Sequence, residues 1–524
     1  MNDRYLWAIP DAQTRWLWKS FAEELGRRLN LRPLLIVGSE ADRDFFMKQF
    51  GRPFEGDIHV LPSIYEVIKD QLAGGNERDF EEILARATEY ETRYGITLMR
   101  QLILPDRVLG RAYMQGGLGH PVTKLYKKLN SQTALRACVS SCDRIEALAE
   151  THPPGMVVKY GAAGGLEHKP IALFCNANAV PFRGLVASRF GGNYYWTVDE
   201  FENSPDLEAW IAKLPAADDE TVERVNRDLT PNSLATSEHF LADMRRTMSR
   251  RHAFRKILYV ILQRIYWRLR GYNKGSYTYT LGGVIAQHWR TPKHWRRLDR
   301  EAIRDLAPYE GRRIIYVPLQ TEPEASVSLL TPEHSYQLTT LSEISLASPA
   351  DAIVVAKEHI WQMGRRSDGF YEAIRDMPNV VLGHPMMDSL DLIRRSDLVC
   401  TITSSAGHEA AALGIPVVYF CKYGYIHGLD HVHACTGLSN IEVIREALAP
   451  VSEAEREKRR RDGAKYFQAI EAYCLNLDDM EIHGREKEPQ QDELDRLIKH
   501  LLKTFPAGFN GTAQGKALAG EIAG

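Results

Sequence analysis

The chain has 524 residues, of which 44% are hydrophobic and 26% charged, and its formal net charge is −2. That length allows about two to four domains of roughly 150 residues, the composition excludes a disordered chain, and the near-neutral balance gives no global pull toward nucleic acid. Seven cysteines at 138, 142, 175, 400, 421, 435 and 474 are odd in number and scattered, so neither a disulfide framework nor a metal site is expected, and a reducing cytoplasm is the expected home.

The leading segment MNDRYLWAIPDAQTRW carries Asp3, Arg4, Asp11 and Arg15 where an export signal needs an unbroken apolar core, so no export is expected. No uncharged run reaches the ~18 residues that span a bilayer. Leu34–Ser39 and Ile58–Pro62 read as buried strands with helical stretches around them. Met156–Tyr160, Ile171–Phe174 and Val180–Val186 continue a strand-rich pattern around the turn-rich GAAGGLEHKP. Residues 1–215 are expected to form one α/β domain.

From 216 to 310 the composition shifts to helical stretches dense in Arg and Trp, a helical, basic interdomain segment. Within it, Met244–Arg270 contains nine Arg or Lys residues, from Arg245 to Arg270, and no acidic residue. Apolar residues from Phe254 to Leu269 recur at helical spacing, with Tyr259, Tyr266 and Trp267 between them. Such a helix either lies on an anionic membrane surface, near a lipid-linked acceptor, or packs between domains with its arginines in solvent. Nothing else in the chain supports nucleic acid.

A second α/β series occupies 311–445. Its strands are expected at Arg312–Pro318, Ala352–Ala356, Val380–Leu382, Leu398–Ile402 and Val417–Phe420, alternating with helical patterns as a doubly wound parallel sheet requires. Residues 446–504 read as charged C-terminal helices, and 505–524 as a tail with little to bury, expected to be mobile.

The most informative stretch is TITSSAGHEAAALGIPVVYF, Thr401–Phe420. A β-branched strand is followed by hydroxyls suited to a helix N-cap, an alanine-rich helix, Gly414 at the left-handed cap position, and Pro416 before the next strand. In a parallel βαβ unit that loop lies at the carboxyl edge of the sheet, where free helix N–H groups favour an anion. Thr403, Ser404 and Ser405 thus form a candidate phosphate loop, unless Ser404 or Ser405 merely caps its own helix. Glu409, one turn along on the same face as Ser405, is placed to receive ribose hydroxyls. Gln320 and Glu324 follow the first strand of this domain and share that edge; Glu322 or Glu324 is either a sugar ligand or acid–base group, or a solvated carboxylate.

An ordered series, YVPLQTEPEAS from Tyr316, VVAKEH from Val354 and NVVLGHPMMDSLDLIRRSDLVCTITSSAGHEAAALGIPVVYF from Asn379, resembles the capsule polysaccharide biosynthesis family over roughly 312–425. That family includes bacterial Kdo transferases using CMP-Kdo. The resemblance implies a GT-B-like fold of two Rossmann-type domains and a glycosyltransferase of surface polysaccharide (capsule or lipopolysaccharide) assembly. It implies a CMP-linked sugar donor such as Kdo, a glycan or lipid-linked acceptor, and no metal or other cofactor. Similar loops occur in CDP-glycerol phosphotransferases and UDP-N-acetylglucosamine epimerases, and a non-catalytic membrane-associated assembly protein on this fold is a further alternative. Lys357 and His359 are the implied phosphate ligands, although the family's His-Pro reads His359-Ile360 here and His384-Pro385 is a second such pair. In a GT-B arrangement the catalytic carboxylate and acceptor groups come from the first domain. The candidates there are Glu91 and Asp106 as base or nucleophile, and Arg183 and Arg189 as sugar or acceptor ligands. Glu91 is otherwise part of a solvated helix face, and Asp106 half of an ion pair with Arg107.

Overall fold

The computed structural model describes residues 4–11, 14–61, 68, 79–106, 130–161, 163–229, 246–270, 280–322, 324, 326–435, 441–477 and 487–505. They divide into two compact α/β units. One holds the described residues up to Trp210 and those from Ile470 onward; the other holds Ile211–Ala469.

The first unit is built on β1 (Tyr5–Ile9), β2 (Arg32–Val37), β3 (Asp57–Val60), β4 (Pro154–Tyr160), β5 (Phe182–Ala187) and β6 (Asn193–Thr197), in the order β6-β5-β4-β1-β2-β3. The strands from β1 to β5 run parallel, and β6 is antiparallel to β5. Every residue of β1 is buried, as a parallel strand covered on both faces demands. The helix Arg15–Leu29 follows because Trp18, Phe21, Ala22, Leu25 and Leu29 present one apolar face to that sheet. It ends at Asn30, whose φ of 52° supplies the left-handed cap. Burying each of the larger side chains contributes roughly 1.5–3 kcal/mol.

The expected strand at Ile171–Phe174 is instead the middle of a helix, Gly165–Ala177. The stretch Lys169–Cys175 of that helix is buried on every side, so it shows no amphipathic period and reads as a short apolar run.

The second unit carries β7 (Arg313–Pro318), β8 (Ala352–Lys357), β9 (Val380–Gly383), β10 (Leu398–Thr401), β11 (Val417–Tyr419) and β12 (Val432–Ala434). Their order is β12-β11-β10-β7-β8-β9, all parallel. From β7 the chain winds outward through β8 and β9, then returns to the other side of β7 with β10. This is the Rossmann order, and it places the topological switch between β7 and β10. The first sheet repeats the scheme with its switch between β1 and β4. The fold is therefore α/β with two Rossmann-type units, as expected.

The helical segment 216–310 lies within the second unit, whose core takes in Leu298 of the helix Leu281–Glu301. The C-terminal helices do not stand apart. β13 (Leu475–Asn476) extends the first sheet antiparallel to β6. The helix Gln491–Leu502 then buries Leu494, Leu497, Ile498 and Leu501 in the same core as Trp18 and Phe21. Residues 506–524 lie outside the described residues, as do Met244 and Arg245.

Candidate functional site

The carboxyl edge of the second sheet assembles residues far apart in sequence. The strand β10 ends at Thr401, and the helix Ser405–Ala412 begins four residues later. Gly407 lets that helix lie directly on the strand: a Cβ there would sit 2.6 Å from Thr401 Cγ2. Gly414 closes the βαβ turn with a φ of +73°, as its position after the helix implied. Ser404 is the N-cap, its Oγ accepting from the Ala406 N–H at 3.3 Å. Ser404 N–H in turn donates to Thr401 Oγ1 at 3.1 Å. The capping alternative thus falls on Ser404, and the half-exposed Ser405 hydroxyl is not used for it.

Thr403 is buried, and its Oγ1 meets no hydrogen-bond partner among the described residues. An orphaned buried hydroxyl costs roughly 1–3 kcal/mol, so its position at the head of a helix on a switch point is informative. Gln320, on the loop after β7, reaches across the switch: its Nε2 donates to Thr401 Oγ1 at 3.3 Å. Its own backbone is pinned by Gln337 Oε1 and by Arg366, whose Nη2 donates to the Gln320 carbonyl at 2.7 Å.

Arg366, which the sequence reading missed, is the keystone of this edge. It is 1% exposed, donates from Nε to Glu358 Oε2 at 3.1 Å, and pairs through Nη1 with Glu322 Oε2 at 2.8 Å. The loops after β7 and β8 are thereby locked together. Glu322 is not a solvated carboxylate, because the buried Arg366 guanidinium holds it. Glu324 is half-buried and accepts from Thr321 Oγ1 at 2.7 Å.

After β8, Lys357 donates from Nζ to Ser389 Oγ at 2.9 Å. Burial pushes its pKa down to about 8, against the opposing influence of Asp388, Glu409 and Glu358. Glu409 is buried on the helix Ser405–Ala412 and within electrostatic reach of Lys357, so two candidates from strands separated by β7 share one locality. His359 is exposed, and its Nδ1 accepts from the Trp361 N–H at 3.3 Å, capping a single 3₁₀ turn at Ile360–Gln362. In the neutral ring the proton therefore sits on Nε2, a donor available to an anion. The missing proline is replaced by this turn. His384, by contrast, is buried scaffold: Nδ1 accepts from Met386 N–H, and Nε2 bonds Asp299 at 3.2 Å.

The first unit disposes of its four candidates differently. Arg183 is buried with Nε on Thr504 Oγ1 at 2.7 Å and Nη2 on the Thr504 carbonyl at 3.0 Å, its guanidinium over the Phe505 ring. It fastens the C-terminal helix and is not presented to a sugar. Arg189 pairs with Glu202 at 2.7 Å. Glu91 accepts the Leu98 N–H at 2.8 Å, closing its own helix end. Asp106 is buried, with Oδ2 at 3.4 Å from Leu166 N, and supplies from a distance the cap that Gly164 cannot give the helix Gly165–Ala177. Its sequence neighbour Arg107 lies outside the described residues.

That helix follows β4, so Asp106 lies at the switch of the first sheet. Two groups that sequence reasoning passed over are there too. Lys159, on β4, is buried with Nζ donating to the Tyr160 carbonyl at 2.6 Å, and burial pushes its pKa down to about 8. Asp11, just beyond β1, acts on it electrostatically. The signal was a lone lysine inside the apolar run MVVKY. Among the described residues no group of three His, Cys, Asp or Glu forms a metal cage.

Residues 242–433 match the family model described as capsule polysaccharide biosynthesis protein. No curated protein matches the chain. Among solved structures, the KpsC β-Kdo 2,7 transferase of Thermosulfurimonas dismutans is similar at 15% identity, covering 62% of this chain and 80% of that one, with a TM-score of 0.27. The S. aureus MnaA–UDP co-structure shares 11% identity over 93% and 99% of the two chains, TM-score 0.28. The UDP-GlcNAc 2-epimerase of Neisseria meningitidis bound to UDP-GlcNAc shares 9% over 90% and 98%, TM-score 0.27.

Proposed function

We propose that this chain, whose residues 242–433 match the family model described as capsule polysaccharide biosynthesis protein, is a glycosyltransferase of bacterial surface polysaccharide assembly. In this reading it moves a sugar such as Kdo from a CMP-activated donor to a glycan or glycolipid acceptor. The observation that carries it is the orphaned Thr403 Oγ1 beside the half-exposed Ser405, at the head of a helix on the switch of a Rossmann-ordered sheet. An anion there receives helix N–H groups, small hydroxyls and the positive end of the helix dipole together.

The chemistry follows from where charge grows. As the bond from sugar to phosphate breaks, negative charge builds on the departing nucleotide, and preorganised donors at the head of the helix stabilise it without needing to reorganise. Ser405 Oγ, the helix N–H groups and the Nε2–H of His359 are those donors, with Lys357 as a nearby cation. Glu409 receives ribose hydroxyls.

The test incubates the protein separately with CMP-Kdo, CDP-glycerol and UDP-N-acetylglucosamine, with lipid-linked glycan acceptors present. Release of CMP from CMP-Kdo with transfer to acceptor is the expected result. Polyol phosphate transfer or epimer formation, with CMP-Kdo left intact, replaces this reading with the corresponding alternative. Calorimetry then compares wild type with Thr403→Val plus Ser405→Ala, for which CMP affinity falls about tenfold or more at unchanged fold.

A further inference from the structure

The helix Arg250–Leu269 has two apolar faces and only one cover. Half-buried Ile257, Val260, Ile261 and Trp267 lie on the side that packs along the helix Leu281–Glu301. On the other side Phe254, Leu258, Leu262, Ile265 and Leu269 form a continuous row, exposed by between 48% for Leu258 and 81% for Leu269. Tyr259 and Tyr266 flank the row, both about half exposed. Ala253 is the only residue of the helix that is fully buried. The covering helix is itself anchored, with Leu298 in the core and His294 and Lys293 both on Asp368, so the outer helix stands on a rigid base.

Beside the N-terminal end of the row, the two helices enclose a cavity of about 490 Å³ lined by Arg250, Lys293, Arg296, Arg300 and Trp289. Lys293 is paired with Asp368 and Arg300 lies 3.8 Å from Glu301, while Arg250 and Arg296 meet no carboxylate among the described residues. Four cations and an indole around one notch, next to a row of uncovered aliphatic side chains, match an anionic headgroup with its acyl layer.

We propose that this hairpin is a membrane-docking surface, with the row Phe254–Leu269 lying in the plane of an anionic bilayer and the Arg250–Arg296–Arg300 notch holding a phospholipid headgroup. The row from Leu258 to Leu269 would also suit a seam with a second copy of the helix. Charge decides against that: Arg250–Leu269 contains no acidic residue, so a second copy would set arginines against arginines, whereas an anionic surface complements them. The inference does not depend on the nucleotide site.

The full chain is sedimented with vesicles of equal parts phosphatidylglycerol and phosphatidylcholine, and with phosphatidylcholine alone. Binding to the first, at least about tenfold weaker to the second and lost in high salt, is the expected result. Leu258→Ser with Leu262→Ser, and separately Arg250→Gln with Arg296→Gln and Arg300→Gln, each lower partition at least about tenfold at unchanged thermal midpoint. The salt and lipid dependence of the unaltered chain decides the matter if a variant fails to fold. Absence of binding, equal binding to both vesicles, or a dimer that the leucine variant dissociates without any vesicle binding overturns the proposal.

Discussion

Gln320 Nε2 donates to Thr401 Oγ1 across the switch between β7 and β10, and the same oxygen accepts the Ser404 N–H. One hydroxyl thus fixes both the loop after β7 and the entry to the helix Ser405–Ala412. Thr401→Val keeps the shape and removes the acceptor, stranding two donors at a cost of roughly 1–3 kcal/mol each. Nucleotide affinity should fall with stability, and a titration showing CMP binding at wild-type strength would refute the coupling.

Gly407→Ala adds one methyl where only 2.6 Å separates it from Thr401 Cγ2. Overpacking at such a contact costs roughly 1–3 kcal/mol, so the thermal midpoint should drop by several degrees. An unchanged midpoint means the helix shifts freely on β10.

Arg366→Met leaves Glu358 and Glu322 buried without their cation. Breaking a buried pair this way destabilises by about 3–5 kcal/mol. Adding Glu358→Gln and Glu322→Gln removes the stranded charges and should recover much of that loss in urea unfolding; failure to recover assigns the cost to packing instead.

Lys357, held down at about 8, is an ammonium below that pH and a neutral amine above it. Affinity for a nucleotide monophosphate should therefore decline as pH rises from about 8, later if the bound phosphate raises the lysine's pKa. Lys357→Met should flatten the upper limb of the profile. A wild-type curve that stays level between pH 7 and about 10 would remove Lys357 from the phosphate site.

Lys159 carries a linkage of known sign. Its pKa falls from 10.5 to about 8 on folding, so between those values the unfolded chain holds the proton that the folded one lacks, and stability rises with pH. Below about 8 the whole penalty is present, about 3 kcal/mol at roughly 1.4 per unit. Lys159→Met should be more stable than wild type at pH 7 and flat across that window, as urea unfolding at several pH values reads out; equal stability of the two at pH 7 would show that the lysine carries no such penalty.

Much of the second unit was legible because its strands are short β-branched runs punctuated by Gly and Pro, and five of its six strands fall where that pattern put them. The loop Thr403–Ser405, Gln320, Lys357 and Glu409 could be gathered because a parallel sheet sends every such loop to one edge. Arg366 was invisible: nothing in GRRSD tells a guanidinium buried between two acids from one in water. The first unit was harder to read. β1 lies in a segment whose charges drew attention to export, and the buried helix Gly165–Ala177 lacks a polar face to give it a period. Arg183 failed as a sugar ligand because its partner, Thr504, is 321 residues away in sequence.

The shared core of Trp18, Phe21, Leu497 and Leu501 also sets an order of events during translation. The residues of the second unit, Ile211–Ala469, are all synthesised before the first unit's last helix exists. The N-terminal part of the first unit is therefore made long before the helix that completes its core, and one apolar face of its sheet stays open until Leu502 is made.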